Sequence, residues 1–507
     1  MNIIPIIILI IGCIGALILG QLVADKPVLA LGGTVALWLG LVLFFSPAFT
    51  TLVAVTFCLL PARSGVSPLG YYELFAVAVV GTAMVRIAFT KARGQYQLSF
   101  APTVSILLFL APLIIHGALE LLSKTQGSQG KRLLLLALLT GVLSIGLMTK
   151  ILDTSKMQFL PIGGLLVGLA YAVFELVSFY IPALRPLVYY IYSDQNFEST
   201  INLSTGLAQD IRLAGLRELG LYLGVGVLCL FALKKKLTLF FIVFTGVVLS
   251  LSFAMILFAG YRGYFAALGL AVIMALVFRG VRWFLLGSLA VALGTMGLIY
   301  WHHSVMPLPW SIQRTLTIFP GDWDSSVRDS AIGGFDWREN LREAYFKKYF
   351  PQNWVIGRGQ VVDINSYSDI LYRSENLDIS WTFEAKQLWH SGIASTLDFT
   401  GVVGFLGLVC GMLYGIYCFF TIYRNKANAR PWHVWVGLAL FSTAPSFWYT
   451  GFFERSFPFF AIAISLLEIG RREVLEACES AYPATIQPKA STPTEILSSS
   501  TENMANH

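Results

Sequence analysis

Five residues have the charge and setting to work on an anion: Arg212, Arg217, Arg262, Arg338 and His390. A guanidinium is a planar fork of donors that matches phosphate oxygens in a way an ammonium does not. A neutral imidazole near pH 7 suits general-base work on a hydroxyl. Arg262 stands in Phe258-Ala-Gly-Tyr-Arg-Gly-Tyr264, between two apolar stretches. An arginine near a membrane core is costly unless it snorkels or is paired. Arg262 therefore reads either as an interface residue or as a phosphate ligand, with Gly260 and Gly263 leaving room for close approach. Arg212 and Arg217 open another apolar stretch in Asp210-Ile-Arg-Leu-Ala-Gly-Leu-Arg-Glu-Leu219. A helix start is the positive end of its dipole and favours anions. Arg217 has a second reading, a pair with Glu218 or Asp210. His390, in Trp389-His-Ser-Gly-Ile393, recurs with Ala394, Leu397, Gly401 and Gly404 at coiled-coil spacing. That face is mostly small, as in close-packed membrane helices, and the histidine would crown it at the water boundary. A lone histidine is more commonly structural; this setting is what singles it out.

The elements that must position these residues are membrane spans. The chain has 507 residues, 56% hydrophobic and 12% charged, with mean hydropathy +0.71. About a quarter of an ordinary soluble protein is charged. Ile3–Val23 and Leu237–Phe258 each suffice to cross a bilayer, for which ~20 apolar residues are needed. Backbone inside lipid must satisfy its own hydrogen bonds, so the fold class is all-α and polytopic. Candidate spans are 3–23, 27–45, 48–60, 71–89, 101–122, 133–151, 159–180, 214–233, 237–258, 263–278, 283–300, 398–421, 433–451 and 457–469, giving about 12–14 transmembrane helices. The first lacks a basic flank and a small-residue cleavage site, so it reads as a retained helix.

Basic loops supply the orientation. Lys234-Lys235-Lys236, Arg279 with Arg282, Arg424 through Arg430 and Arg471-Arg472 mark cytoplasmic turns, which puts both termini in the cytoplasm. Lys124, Lys131 and Arg132 run against that pattern. The five candidates then share the outer face. The net charge of +7 follows from these span ends and points to no nucleic acid. The order along the chain is 1–180 N-terminal spans, 181–300 spans with the arginine segments, 301–397 one long extracytoplasmic loop, 398–470 the last spans, and a 471–507 cytoplasmic tail, unstructured from about 481. In the loop, Trp337, Leu341, Tyr345 and Tyr349 recur on one helical face, while Gly333-Gly334 and Gly357-Arg-Gly359 read as turns.

Other motifs carry less. Asp322-Trp-Asp324 has the Asp-x-Asp form of some metal-dependent glycosyltransferases, but sugar nucleotides are cytosolic and this loop faces out. His302-His303 lacks companions at zinc spacing. Glu120 and Glu175 suit relay groups in a transporter or, more plainly, partners of a nearby Tyr or Arg; Glu454-Arg455 reads as an ion pair in an outer turn. The six cysteines lie in spans or in the tail and form no disulfide framework.

With these residues in hand, the chain resembles the O-antigen ligase and polymerase superfamily of bacterial envelope enzymes. Arg212-Leu-Ala-Gly215 is similar to that family's Arg-x-x-Gly segment, and Tyr261-Arg262-Gly263 to its Ser-Arg-Gly. His390 with Gly401 and Gly404 beyond it is similar to His-Asn-x-x-Leu followed by Gly-x-x-Gly. Trp337-Arg338, Ala344 and Ile356-Gly-Arg-Gly359 resemble the family's loop stretch. Ser391 stands where Asn is usual, Tyr261 where Ser is usual, and the Asn-Pro-Asn segment is absent.

The resemblance, over about 205–420, implies a glycosyltransferase of the bacterial cytoplasmic membrane that needs no metal and no cofactor. Its donor would be an undecaprenyl-diphosphate-linked glycan and its acceptor another glycan or a lipid core, alongside polysaccharide assembly proteins. Arg212, Arg217, Arg262 and Arg338 would hold the diphosphate, and Arg262 and His390 would act in catalysis. Ligase and polymerase are not separated. A transporter or flippase is the alternative, although no repeat relates the two halves. A non-catalytic scaffold is a third reading.

Overall fold

Long apolar runs leave the backbone one way to satisfy its polar groups inside lipid, and every regular element among the described residues is helical, even where Pro112, Pro445 and Pro458 fall inside a helix. The computed structural model describes residues 46–59, 71–73, 75–80, 99–122, 128–186, 188, 214–359, 387–450 and 453–481. The helices are α1 (Pro47–Leu59), α2 (Phe100–Leu122), α3 (Ser128–Met148), α4 (Leu160–Tyr180), α5 (Ala214–Leu233), α6 (Leu239–Ala259) and α7 (Arg262–Arg279). They continue as α8 (Val281–Ser304), α9 (Trp310–Leu316), α10 (Ser325–Ala344), α11 (Gly392–Arg424), α12 (Pro431–Thr450) and α13 (Phe453–Ala481). Seven helices among the described residues are long and apolar enough to span a membrane; Pro47–Cys58, Tyr71–Val80 and Leu133–Met148 are shorter apolar helices. The two spans expected before residue 46, and the segment with Arg212, lie outside the described residues.

The chain is an all-α, polytopic membrane-type protein. Helices α2, α3, α11 and α13 pack together, and α4–α7 form a second group that α12 joins to the first. Close crossings explain two glycines. A Cβ on Gly215 of α5 would lie 2.6 Å from the Tyr171 carbonyl carbon of α4, and one on Gly407 of α11 would lie 2.5 Å from the Phe109 amide nitrogen of α2. Helix α8 rests against α7 with none of its residues buried.

The two ends of the bundle differ. One carries the described loop residues from Val305 to Ser391 and is called the loop end below. The opposite end carries Lys234–Lys236, Arg279, Arg424 and Arg471. There Glu468, fully buried, accepts from Arg471 Nε at 2.7 Å, Arg472 Nε at 2.6 Å and Tyr414 Oη at 2.8 Å, and also from Ser99.

Three local expectations are corrected. Gly333-Gly334 is not a turn but lies inside α10, which Asp324 starts by accepting from the Ser326 amide at 3.0 Å. Glu454-Arg455 falls in the first turn of α13 rather than between helices. The face His390-Ala394-Leu397-Gly401-Gly404 is not continuous. His390 precedes the helix, which Ser391 caps, and α11 breaks at Gly401 with φ 63° and ψ −167°. The stretch Val402–Arg424 beyond the break still crosses a ~30 Å apolar layer at ~1.5 Å per residue.

Candidate functional site

The loop end is built on two apolar clusters. Leu308, Ile312, Leu316 and Trp323 bury themselves with Leu257, against Phe265 and Ile299. This seats α9 on the ends of α6, α7 and α8. Leu341, Tyr345, Trp389, Ala394 and Leu397 form the second cluster, flanked by Trp337 and Tyr349. The periodic face read from Trp337 to Tyr349 therefore faces α11. Between the clusters runs α10, which carries Phe335, Trp337 and Arg338.

Helix α6 ends on Gly260, whose φ of 71° is the left-handed conformation of a helix C-cap. Its glycine thus answers to backbone conformation rather than to room for a ligand. Tyr261 is extended, and Arg262 is the first residue of α7. This puts the guanidinium at a positive dipole end, with its Cζ 5.4 Å from the Phe335 ring centre on α10. Arg217, in the first turns of α5, lies over the rings of Tyr261 at 4.2 Å and Tyr264 at 4.6 Å. It also sits 3.4 Å from Glu218, the pairing that the sequence offered as its plainer role. Tyr264 donates to Glu218 at 2.5 Å.

Arg338 follows Phe335 by one turn of α10, and its Nη1 donates to the Gly334 carbonyl at 3.0 Å. Trp337 meets the His390 ring edge-on at 4.9 Å. Burial, and then the Arg338 charge, lower the His390 imidazole to about 4. So Arg217 meets Tyr261, the neighbour of Arg262; Arg262 meets Phe335 on one side of α10, and His390 meets Trp337 of the same helix, with the Arg338 charge acting on it. The structure brings four of the five candidates to this end; Arg212 lies outside the described residues.

Other motifs receive structural roles. Asp324 caps α10, and Trp323 between the two aspartates fills the first cluster. The Leu308 amide donates to His302 Nδ1 at 3.0 Å and the Asp322 amide to His303 Nε2 at 3.3 Å. His302 also stacks on Trp323. Glu175, buried on α4, accepts from the Gly215 amide at 2.7 Å, which sets a carboxylate at the start of α5. Among the described residues no group of three or more His, Cys, Asp or Glu is placed to hold a metal.

Sequence reasoning missed the densest polar contact at this end. Arg358 reaches Asp398 with Nε to Oδ1 at 2.6 Å and Nη2 to Oδ2 at 2.8 Å. The aspartate is 1% exposed and the arginine 15%. Gln387 Nε2 and Trp389 Nε1 each donate to Oδ2 at 2.8 Å. The Arg358 amide donates to the Asp398 carbonyl at 2.7 Å, and the guanidinium lies 3.9 Å over Tyr349. Burial pulls the Arg358 guanidinium down, but its bonds to Asp398 outweigh that and hold it above its ordinary value. The Gly357 and Gly359 turn, with φ of 76° and 66°, fits against the break at Gly401, where the Val402 and Val403 amides donate to the Trp354 and Val355 carbonyls. His116 of α2 closes the other side, its Nε2 at 2.9 Å from the Ile356 carbonyl. The available signal was Asp398 itself, an acid entering an apolar run.

Fold and site together define a helical membrane protein with a cationic, aromatic-lined cluster at one end. No family model matches the chain, and no curated protein matches it.

Proposed function

We propose that the protein is a glycosyltransferase of the bacterial cytoplasmic membrane. It transfers or polymerises a glycan carried on undecaprenyl diphosphate, at the outer face, in the manner of O-antigen ligases and polymerases. The observation that supports this most is that Arg217, Arg262, Arg338 and His390 gather at one end of the bundle, Arg262 and His390 each against α10.

The chemistry follows from charge. The acceptor hydroxyl attacks the anomeric carbon, the bond from that carbon to the phosphate oxygen breaks, and lipid diphosphate leaves with the electron pair. Arg217, Arg262 and Arg338, with Arg212 as the fourth cation, stabilise the leaving charge through their guanidinium forks. His390 orients the acceptor and takes its proton. With an imidazole at about 4, His390 is by itself a weak base. A bound diphosphate offsets the Arg338 charge, the smaller of the two causes, and so raises the imidazole in part; general-base help is typically worth about 10²–10⁴-fold.

The test is product in cells carrying Arg262→Ala or His390→Ala at normal protein levels. Loss of polymer or ligated glycan, with accumulation of the lipid-linked precursor, is expected. Full product in both variants removes these roles.

A further inference from the structure

The turn that presents His390 is strained. Gln387 has φ 53° and His390 φ 47°, left-handed values that side-chain-bearing residues rarely adopt. Each such residue is disfavoured and persists only where its surroundings over-determine it. Here the surroundings are mostly one carboxylate. Asp398 accepts from Gln387, which opens the turn, from Trp389, which precedes His390, and from two nitrogens of Arg358. Gln387 Nε2 is also shared with the Gly359 carbonyl at 3.0 Å. Trp389, fully buried between Tyr345 and Tyr349, cannot shift without breaking these bonds. Asp398 lies within the helical segment before the break at Gly401, so the acid is fixed in turn by the Val355 and Ile356 backbone packed against that glycine.

We infer that Asp398 and Arg358 are positioning residues: the pair clamps the Gln387–Ser391 turn through Gln387 and Trp389 and so aims the His390 ring at Trp337 and Arg338. Its role in transfer rests on the function proposed above; the clamp itself does not. Neither residue needs to touch the reacting atoms. A group displaced by about 1 Å from its working position loses on the order of 10²-fold in rate.

The clamp is tested on the purified full-length protein by reacting histidines with diethyl pyrocarbonate and counting modified peptides. Asp398→Asn keeps the shape but weakens both donors' partner; Trp389→Phe keeps the ring and removes one donor. In both, modification of His390 rises severalfold while His302 and His303, in the other cluster, react as before. Unchanged His390 reactivity in Trp389→Phe, with Asp398→Asn either unchanged or raising all histidines together, overturns the clamp. Transfer kinetics add a second readout. Asp398→Asn lowers kcat by about 10²-fold while the donor KM stays, because Arg217, Arg262 and Arg338 are untouched, and Arg358→Lys, which keeps the charge beside Asp398, loses less than Arg358→Ala. A fall in donor affinity alone also overturns the assignment. Full transfer by His390→Ala would instead remove the functional reading and leave the labelling result standing.

Discussion

Two buried carboxylates hold cations at opposite ends of the molecule, and they are built differently. Glu468 takes its cations from its own helix, Arg471 and Arg472 one turn further on, with Ser99 and Tyr414 completing the set. Asp398 takes Arg358 from a segment 40 residues away in sequence, and around it the backbone is bent at Gly357, Gly359, Gln387, His390 and Gly401. The first arrangement costs little backbone freedom and ties α13 to α2 and α11. The second spends conformational strain on placing one turn beside the arginines. Among the described residues the opposite end has one left-handed residue that bears a side chain, Lys150, whereas two, Gln387 and His390, fall within this single turn.

The sharpest way to break this contrast is to neutralise each acid. Asp398→Asn and Glu468→Gln each leave buried cations with half their partner, at about 3–5 kcal/mol of stability. Thermal unfolding in detergent should register both. Transfer per folded molecule should fall about 10²-fold only for Asp398→Asn. Equal activity losses in the two variants would erase the distinction.

A smaller effect concerns pH. The lowered His390 value means that the unfolded chain binds more protons than the folded one between about 6.5 and about 4. Stability from the neutral imidazole is therefore fully present above about 6.5 and is lost as pH falls through about 4. Unfolding midpoints followed across this window should slope in the native protein and flatten in His390→Gln. An equal slope in both places the titration elsewhere.

The smallest effect belongs to α10, the helix that Arg262 and His390 each meet. Asp324→Ala removes its N-cap, at about 1 kcal/mol. Transfer should drop only modestly, whereas Ser326→Ala, which keeps the capped amide, should leave it unchanged.

Much of the fold was legible because hydropathy and length dictate helices in lipid. The described spans start and stop within a few residues of the expected ones except at α11, which begins before 398, and α13, which runs to Ala481. The stripe Trp337, Leu341, Tyr345 and Tyr349 was legible from its helical spacing. Gly333-Gly334 misled because glycine is tolerated inside a helix whose cap and flanking periodicity are strong. The break at Gly401 was hidden because a glycine in an apolar run reads equally as tight packing or as a bend. Arg358 and Asp398 escaped because their partners are distant in sequence, and a single acid barely changes the hydropathy of its window. Arg217, Arg262, Arg338 and His390 could be chosen from residue type and boundary position; the role of α10 in linking them could not.

The proposed transfer requires these cations and the imidazole to serve one lipid-diphosphate substrate. The most direct measurement is release of polyprenyl diphosphate from a lipid-linked glycan by the reconstituted protein with acceptor present. Native protein should release it, while Arg262→Ala and His390→Ala, at matched folded amounts, should release little. Undiminished release by both variants would contradict the account.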